Sequence, residues 1–393
     1  MSDQLYEIVK SSVNIEDLKR LTLDLVSRPS TQTDKMEYDP EIKSFISDTL
    51  MPELKKRGLN SVELDDMGNL ICRVGNTDGK KKVFFLGYAM THPASSMKDP
   101  FTGEIVEEAG KEALRGRGVS EQKGSLAAMI AAVELINKND HLLNGELIFG
   151  VSLAGETGRH LAVDNMCKFA DIKADLGVVG IGTNNKISQG NKGRADVEVI
   201  VYGKSCHSSS PIEGINAIEG ACAVIEKLKE MKFTSKHAHL GKPTLASTAI
   251  KSYPNATHTI QNECHIIFDR RLLPGDQAAD AVKEIREAIG EIPPYKVEVK
   301  LGPVTLPSEV KDNSIIITRL SDAIKTVTGK EAEKFYSNSA IDAGYLNKQN
   351  IPAVMFGPGS MDYWHTDNEV LFVEDLLKGT YIYSYLALKH LAK

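Results

Sequence analysis

RADVEVIVYG, residues 194–203, decides how the chain is divided. Its apolar residues alternate with polar ones, the period of a half-buried strand. The runs before it read differently. KKVFFLG and GELIFGVSL (Gly145–Leu153) are almost continuously apolar, as buried strands are. Between and around them lie helical spacings over residues 14–26 and 40–58, a long apolar helix at SLAAMIAAVELINKN (Ser125–Asn139), and a helix around Gly158–Phe169 leading to the strand DLGVVGI. Short strands are also read at SVELDD and NLICRVG. This α/β alternation predicts a mostly parallel sheet with helices on both faces. From RADVEVIVYG onward the order changes. The helix NAIEGACAVIEKLKEM, two long strands PTLASTAIKSY and HTIQNECHIIFDRR, the helix AADAVKEIREAIG and the strand YKVEVKL follow. That order is βαββαβ, a ferredoxin-like unit. After Pro307 the first pattern resumes with NSIIITRLSDAIKTVTG, IPAVMFG and VEDLLKGTYIYSYLALKHL. The expected fold class is α/β, with a discontinuous larger domain (1–190 and 304–393) interrupted by an inserted βαββαβ lid domain (191–303).

Composition narrows the function. A chain of 393 residues with 41% hydrophobic and 25% charged residues is globular and long enough for two domains. A net charge of -6 and the lack of a Lys/Arg stripe argue against a nucleic-acid partner. No apolar run approaches a membrane span, and MSDQLYEIVKSSVNIEDLKRL has a polar helical pattern with no signal core. Five cysteines without CxxC spacing read as reduced thiols, so a cytoplasmic location is expected.

Four glycine-containing stretches fall at predicted strand ends: GYAMTH, RGRGVSEQKG (Arg115–Gly124), SLAGETGRH (Ser152–His160) and FGPGSMDYWHTDNE (Phe356–Glu369). Ligands of doubly wound sheets bind beyond the carboxyl ends of strands, so these loops can converge. Glu121, Glu156 and His365 are a plausible ligand set for zinc or a similar divalent ion. Singly, each has a plainer reading. Glu121 and Glu156 precede helices, whose N-terminal dipoles favour carboxylates. His365, beside Trp364, also reads as a packed loop histidine. His92 and His160 could bind metal or act as bases, with ordinary loop or helix histidines as the plainer reading.

RGRGVSEQKGSLAAM, YGKSCHSSSPIEGINAI and FGPGSMDYWHTDNEVLFVEDL together resemble the dinuclear zinc deacylases and exopeptidases, a family that includes acetylornithine deacetylase, succinyl-diaminopimelate desuccinylase, aminoacylase and glutamate carboxypeptidase. The resemblance implies a two-ion site, but several of its positions differ here. The family's His-x-Asp-Thr corresponds to Tyr88, Ala89, Met90 and Thr91. Its bridging Asp corresponds to Glu121. Its Glu-Glu pair, base and then ligand, corresponds to Gly155 and Glu156. A further acidic ligand corresponds to Ile181, and the last His is retained as His365. One ion could therefore be held by Glu121, Glu156 and His365, while the other site is cancelled. In the lid, His207 matches a histidine that polarises the substrate carbonyl. Arg271 matches an arginine that pairs with the substrate carboxylate. His258 stands where an Asn is common, and Asn216 is taken as a further substrate contact.

Three functions follow. The first is a hydrolase of an amide or ureido C–N bond in a small carboxylated substrate, using at most one ion. The second is a metal-free hydrolase or lyase with Glu156 as general base. The third is an inactive binding or regulatory homologue. Retention of Glu156, His207, Arg271 and His365 favours a working pocket over a dead one, and Gly155 favours altered chemistry over the standard reaction. The first function is the leading expectation, for a homodimer paired through the lid, as the resemblance implies.

Overall fold

The computed structural model describes residues 2–155 and 157–393. Its contacts divide the chain into a larger unit (up to Gly190, Glu309–Phe335 and Asp342–Lys393) and a smaller one (Asn191–Ser308 with Tyr336–Ile341).

In the larger unit four strands form a parallel core, in the spatial order Gly145–Ser152, Lys81–Tyr88, Leu176–Gly180 and Ala353–Phe356. Every residue of Gly145–Ser152 is buried. This explains the continuous apolar runs, because both faces of such a strand are covered. Two glycines show what covers them. A Cβ on Gly87 would lie 2.9 Å from Leu126 Cδ1, in the helix Gly124–Lys138, and one on Gly150 would lie 2.5 Å from Met166 Sδ, in the helix Leu161–Phe169. Gly87 pairs with Val151, whose neighbour Gly150 points the opposite way, so the two helices sit on opposite faces. Leu70–Gly75 and Val62–Leu64 extend the sheet antiparallel on one side. The closing helix Val373–Leu391 packs with Gly124–Lys138, and its Tyr383 hydroxyl donates to the Phe356 carbonyl at 2.5 Å.

The smaller unit is the βαββαβ arrangement. Its sheet runs Thr244–Tyr253, Glu263–Leu272, Gly193–Tyr202, Lys296–Thr305, each neighbour antiparallel. Alternate residues of Glu263–Leu272 are buried, so one face carries the core. Val197, Val199, Ile266 and Phe268 meet Ala221 and Val224 of the helix Ala217–Lys229 and Ile285 of the helix Ala278–Ile289. The edge strand Thr244–Tyr253 is largely exposed.

Some boundaries differ from expectation. The helix expected from Gly158 begins at Leu161, because Gly158 turns the chain at φ 67°. The strand expected from His258 begins at Glu263. The preceding residues form a turn in which the Gln261 amide donates to the Ala256 and Thr259 carbonyls and accepts from Asn255 N. The N-terminal helical stretch is two helices, Ser2–Ser12 and Ile15–Val26. Asn14 caps the second through Glu16 N and Asp17 N. A three-stranded sheet of Glu104–Glu108, Lys111–Arg115 and Val370–Phe372 was not anticipated.

Candidate active site

The small three-stranded sheet assembles one half of the site. Val370 pairs with Arg115, which sets the loop before Val370 against the loop after Arg115. Glu369 is fully buried and joins them. Its carboxylate accepts from Arg117 Nη1 (3.0 Å), Gly118 N (2.8 Å), Ser120 N (3.0 Å) and Glu121 N (3.2 Å). Burial raises the Glu369 pKa, and the donors around it oppose that shift. Ser120 Oγ accepts from Ser360 N, and Gly182 N donates to the Glu121 carbonyl. Gly182 and Gly359 must be glycine for this approach, since a Cβ on either would lie 2.0 Å from Ser120 O.

Held in this way, the Glu121 carboxylate is buried and meets His365 Nε2 at 3.1–3.2 Å. Glu121 lies in the first turn of the short helix Val119–Lys123, as its plainer reading has it, and it also meets His365. His365 is 42% exposed on its side chain and has φ 59°. A left-handed backbone is uncommon for a residue other than glycine and tends to mark functional positions. His92 stacks on it, with ring centroids 3.9 Å apart and planes at 17°, while its Nδ1 contacts the Pro93 carbonyl at 2.9 Å.

The other half contains the substitutions. Tyr88 ends its strand in register with Ser152 and is buried. Its hydroxyl donates to Asp342 Oδ2 at 2.8 Å, and Asp342 Oδ1 meets His160 Nδ1 at 2.5 Å. A Cβ on Gly155 would lie 3.1 Å from the Met90 carbonyl oxygen and 3.4 Å from Tyr88 Cβ. A side chain at position 155 would therefore crowd the Met90 carbonyl and lie against Tyr88. Ile181 is buried. Glu156 lies outside the described residues.

Comparison with known proteins now bears on these loops. Residues 189–296 match the peptidase dimerisation domain of the M20 peptidases. The chain resembles the M20 hydrolases along nearly its whole length. It is 26% identical over 403 residues to YgeY of Escherichia coli strain K12, covering 96% of this chain and 95% of that one. It is 28% identical over 322 residues to acetylornithine deacetylase of Buchnera aphidicola, covering 77% and 78%. The solved structure of aminopeptidase PepT from Bacillus cereus has a TM-score of 0.72 at 19% identity, covering 96% and 99%, which is a likeness of fold.

The M20 resemblance implies bound divalent ions. Of the positions compared with its ligands, the Tyr88 hydroxyl is bonded to Asp342, and Ile181 is buried and offers no donor. Among the described residues no group of three His, Cys, Asp or Glu is arranged to hold an ion. The chemistry of Glu121 and His365, a buried carboxylate against an imidazole nitrogen, does suit part of the shell of a single ion.

In the smaller unit the expected substrate residues have other partners. His207 and His258 are exposed, with ring centroids 6.1 Å apart, and His207 Nδ1 contacts Ser209 Oγ at 2.8 Å. Arg271 directs Nε and Nη2 at both oxygens of Asp269, at 2.8 and 3.1 Å, so its fork is already engaged. Asn216 caps the helix Ala217–Lys229, with Oδ1 accepting from Ile218 N and Nδ2 donating to Glu219. Asp342 and Glu369 were missed as site residues. Little in the sequence signals Glu369: it and Arg117 lie in two polar, glycine-containing loops, and their burial as a pair shows only in the fold.

Proposed function

We propose that this protein hydrolyses the C–N bond of a small carboxylated amide or ureido compound. It would do so in the cytoplasm, with one divalent ion such as zinc held by Glu121, His365 and Glu156. The observation that carries this reading is the asymmetry of the site. Glu121 and His365 are buried and half-exposed respectively and are brought together by the Glu369 clamp. Tyr88 and Ile181, which the resemblance sets at the positions of lost ligands, are buried and are read as closing the second position. An ion at Glu121 and His365 would supply a Lewis acid for the scissile carbonyl. The rest belongs to the chain. Glu369 fixes the Glu121 backbone, Ser120 fixes the loop bearing His365, and His92 stacks on the ring of His365 and limits its rotation. His207 and Arg271 are assigned to the substrate carbonyl and carboxylate. Arg271 would have to exchange Asp269 for the substrate.

Relatives named for deacetylation of an amino acid support the substrate class, and the dimerisation-domain match supports a homodimer. The exposed edge strand Thr244–Tyr253, with Ile250 and Tyr253 outward, is the surface such pairing would cover. The test is release of free amine from N-acyl amino acids and ureido acids by protein supplied with zinc, manganese or cobalt. Turnover that falls in Glu121→Gln is expected. A panel with no turnover in any ion would overturn the reading.

A further inference from the structure

An amide hydrolase needs a group that takes a proton from water and returns it to the leaving nitrogen. If Glu156 binds the ion, the residue before it should be that base, but it is Gly155. A Cβ there would press on the Met90 carbonyl, with Tyr88 in contact beside it. The loop that carries Gly155 also carries another candidate. His160 is the residue just before the helix Leu161–Phe169, yet its side chain does not cap that helix. It turns to Asp342, with Nδ1 2.5 Å from Oδ1. The second carboxylate oxygen accepts the Tyr88 hydroxyl at 2.8 Å. Asp342 is thereby fixed from two sides. Its side chain is 9% exposed and that of His160 is 10% exposed. Tyr345 lies beside the imidazole, with ring centroids 5.5 Å apart, and its own hydroxyl is tied to Asp164 at 2.8 Å.

This is the arrangement in which a carboxylate orients a histidine for proton transfer. In the tautomer that donates Nδ1–H to this carboxylate, Nε2 is the nitrogen with a lone pair to accept a proton. The tyrosine that cancels the family's metal ligand is the same residue that steadies Asp342.

We propose that His160, oriented by Asp342, is the general base and then the general acid of the C–N cleavage, in place of the carboxylate absent at Gly155. Resting on the hydrolase reading above, the step is as follows. His160 Nε2 takes one proton from water as the water oxygen bonds to the carbonyl carbon. The imidazolium then gives that proton to the nitrogen as the C–N bond breaks. The products are a carboxylic acid and an amine. No oxidant, reductant or further reactant is needed. Asp342 and Tyr88 are positioning residues.

The test compares kcat, KM, bound ion and circular dichroism for the wild type, His160→Ala, His160→Gln and Asp342→Asn, with N-acyl amino acids as substrates. General acid–base groups contribute about 10²–10⁴-fold, so kcat should fall by that factor in both His160 variants. KM and ion content should stay near wild type, and added imidazole should restore part of the His160→Ala rate. Asp342→Asn should lower kcat and leave KM little changed. A wild type active on the panel with a His160→Gln kcat within about threefold of it would overturn this proposal alone, given the size expected of such a group. Loss of activity together with the fold or the ion, and no rescue by imidazole, would make His160 structural and overturn it too. A wild type inactive on every substrate would overturn the hydrolase reading and this proposal with it.

Discussion

Replacing Glu369 by Gln tests the clamp that builds the retained half of the site. In the native protein its carboxylate receives one guanidinium and three backbone N–H groups, all buried. Gln is nearly the same size but uncharged, and one of its two terminal groups is a donor. It would set that donor against N–H groups already pointing inward. Arg117, whose side chain is fully buried, would lose its only carboxylate among the described residues. Breaking a buried charge pair from one side costs about 3–5 kcal/mol, because the remaining charge is left without compensation. Each buried donor left without an acceptor costs roughly 1–3 kcal/mol. Relaxation and water entry keep these from adding in full, so about 3–5 kcal/mol is expected for the substitution. Urea unfolding followed by circular dichroism would read it as a lower midpoint with an unchanged slope. The double variant Glu369→Gln/Arg117→Met should recover part of the loss, since it removes the orphaned charge. The more specific consequence is functional. Glu121 N is one of the clamped donors, so the Glu121 carboxylate should wander and divalent-ion affinity should fall in Glu369→Gln. A destabilisation under about 1 kcal/mol, the range of an exposed pair, would refute the clamp. Unchanged ion affinity would separate it from the site.

Three other predictions follow from different parts of the molecule. Gly155→Glu, which restores the family's residue alone, should not raise kcat or add an ion, because the new side chain meets the Tyr88 ring and the Met90 carbonyl; overpacking should cost about 1–3 kcal/mol in urea unfolding. Burial holds the pKa of His390 below its ordinary value of 6.5 despite its contact with Asp175 at 3.1 Å. The unfolded chain then binds the proton more readily, so stability should decline as pH falls through about 6.5 and below, and His390→Asn should flatten that decline in thermal scans across this window. Sedimentation equilibrium should give twice the chain mass, and a charge at Ile250 on the exposed edge strand should shift the protein toward monomer; a wild type that is monomeric at micromolar concentration would count against pairing through this surface.

The fold was legible where burial leaves a strong imprint. The continuous runs at 83–86 and 147–149 read as covered strands because both faces of the parallel core carry helices. The alternation from 194 to 201 read as a one-sided sheet for the converse reason. The three-stranded sheet left no such mark. EIVEE is mostly exposed and KEALR buries only Ala113 and Leu114, both have compositions that suit a helix equally well, and Val370–Phe372 has only three residues. The site divides similarly. Glu121 and His365 were visible as metal-type donors at strand ends, and the structure brings them into contact. Asp342 was invisible, since it meets Tyr88 across 254 positions of sequence and sits in an unremarkable SAIDAGYL stretch. The family resemblance makes Arg271 a substrate contact, and Asn216, in one of the motifs that carry it, reads as another. Local geometry gave Asn216 a helix to cap and Arg271 an aspartate two positions away. Short-range hydrogen bonds of this kind satisfy a polar side chain without leaving any trace in the long-range pattern.

The central claim is that one divalent-ion position survives and the other has been closed. Its most direct test is the metal content of protein purified without chelator, measured beside Glu121→Gln prepared in the same way. The account predicts about one equivalent in the wild type, in keeping with a single Glu/His shell, and almost none in Glu121→Gln. Two equivalents in the wild type, or an ion retained in full by Glu121→Gln, would contradict it.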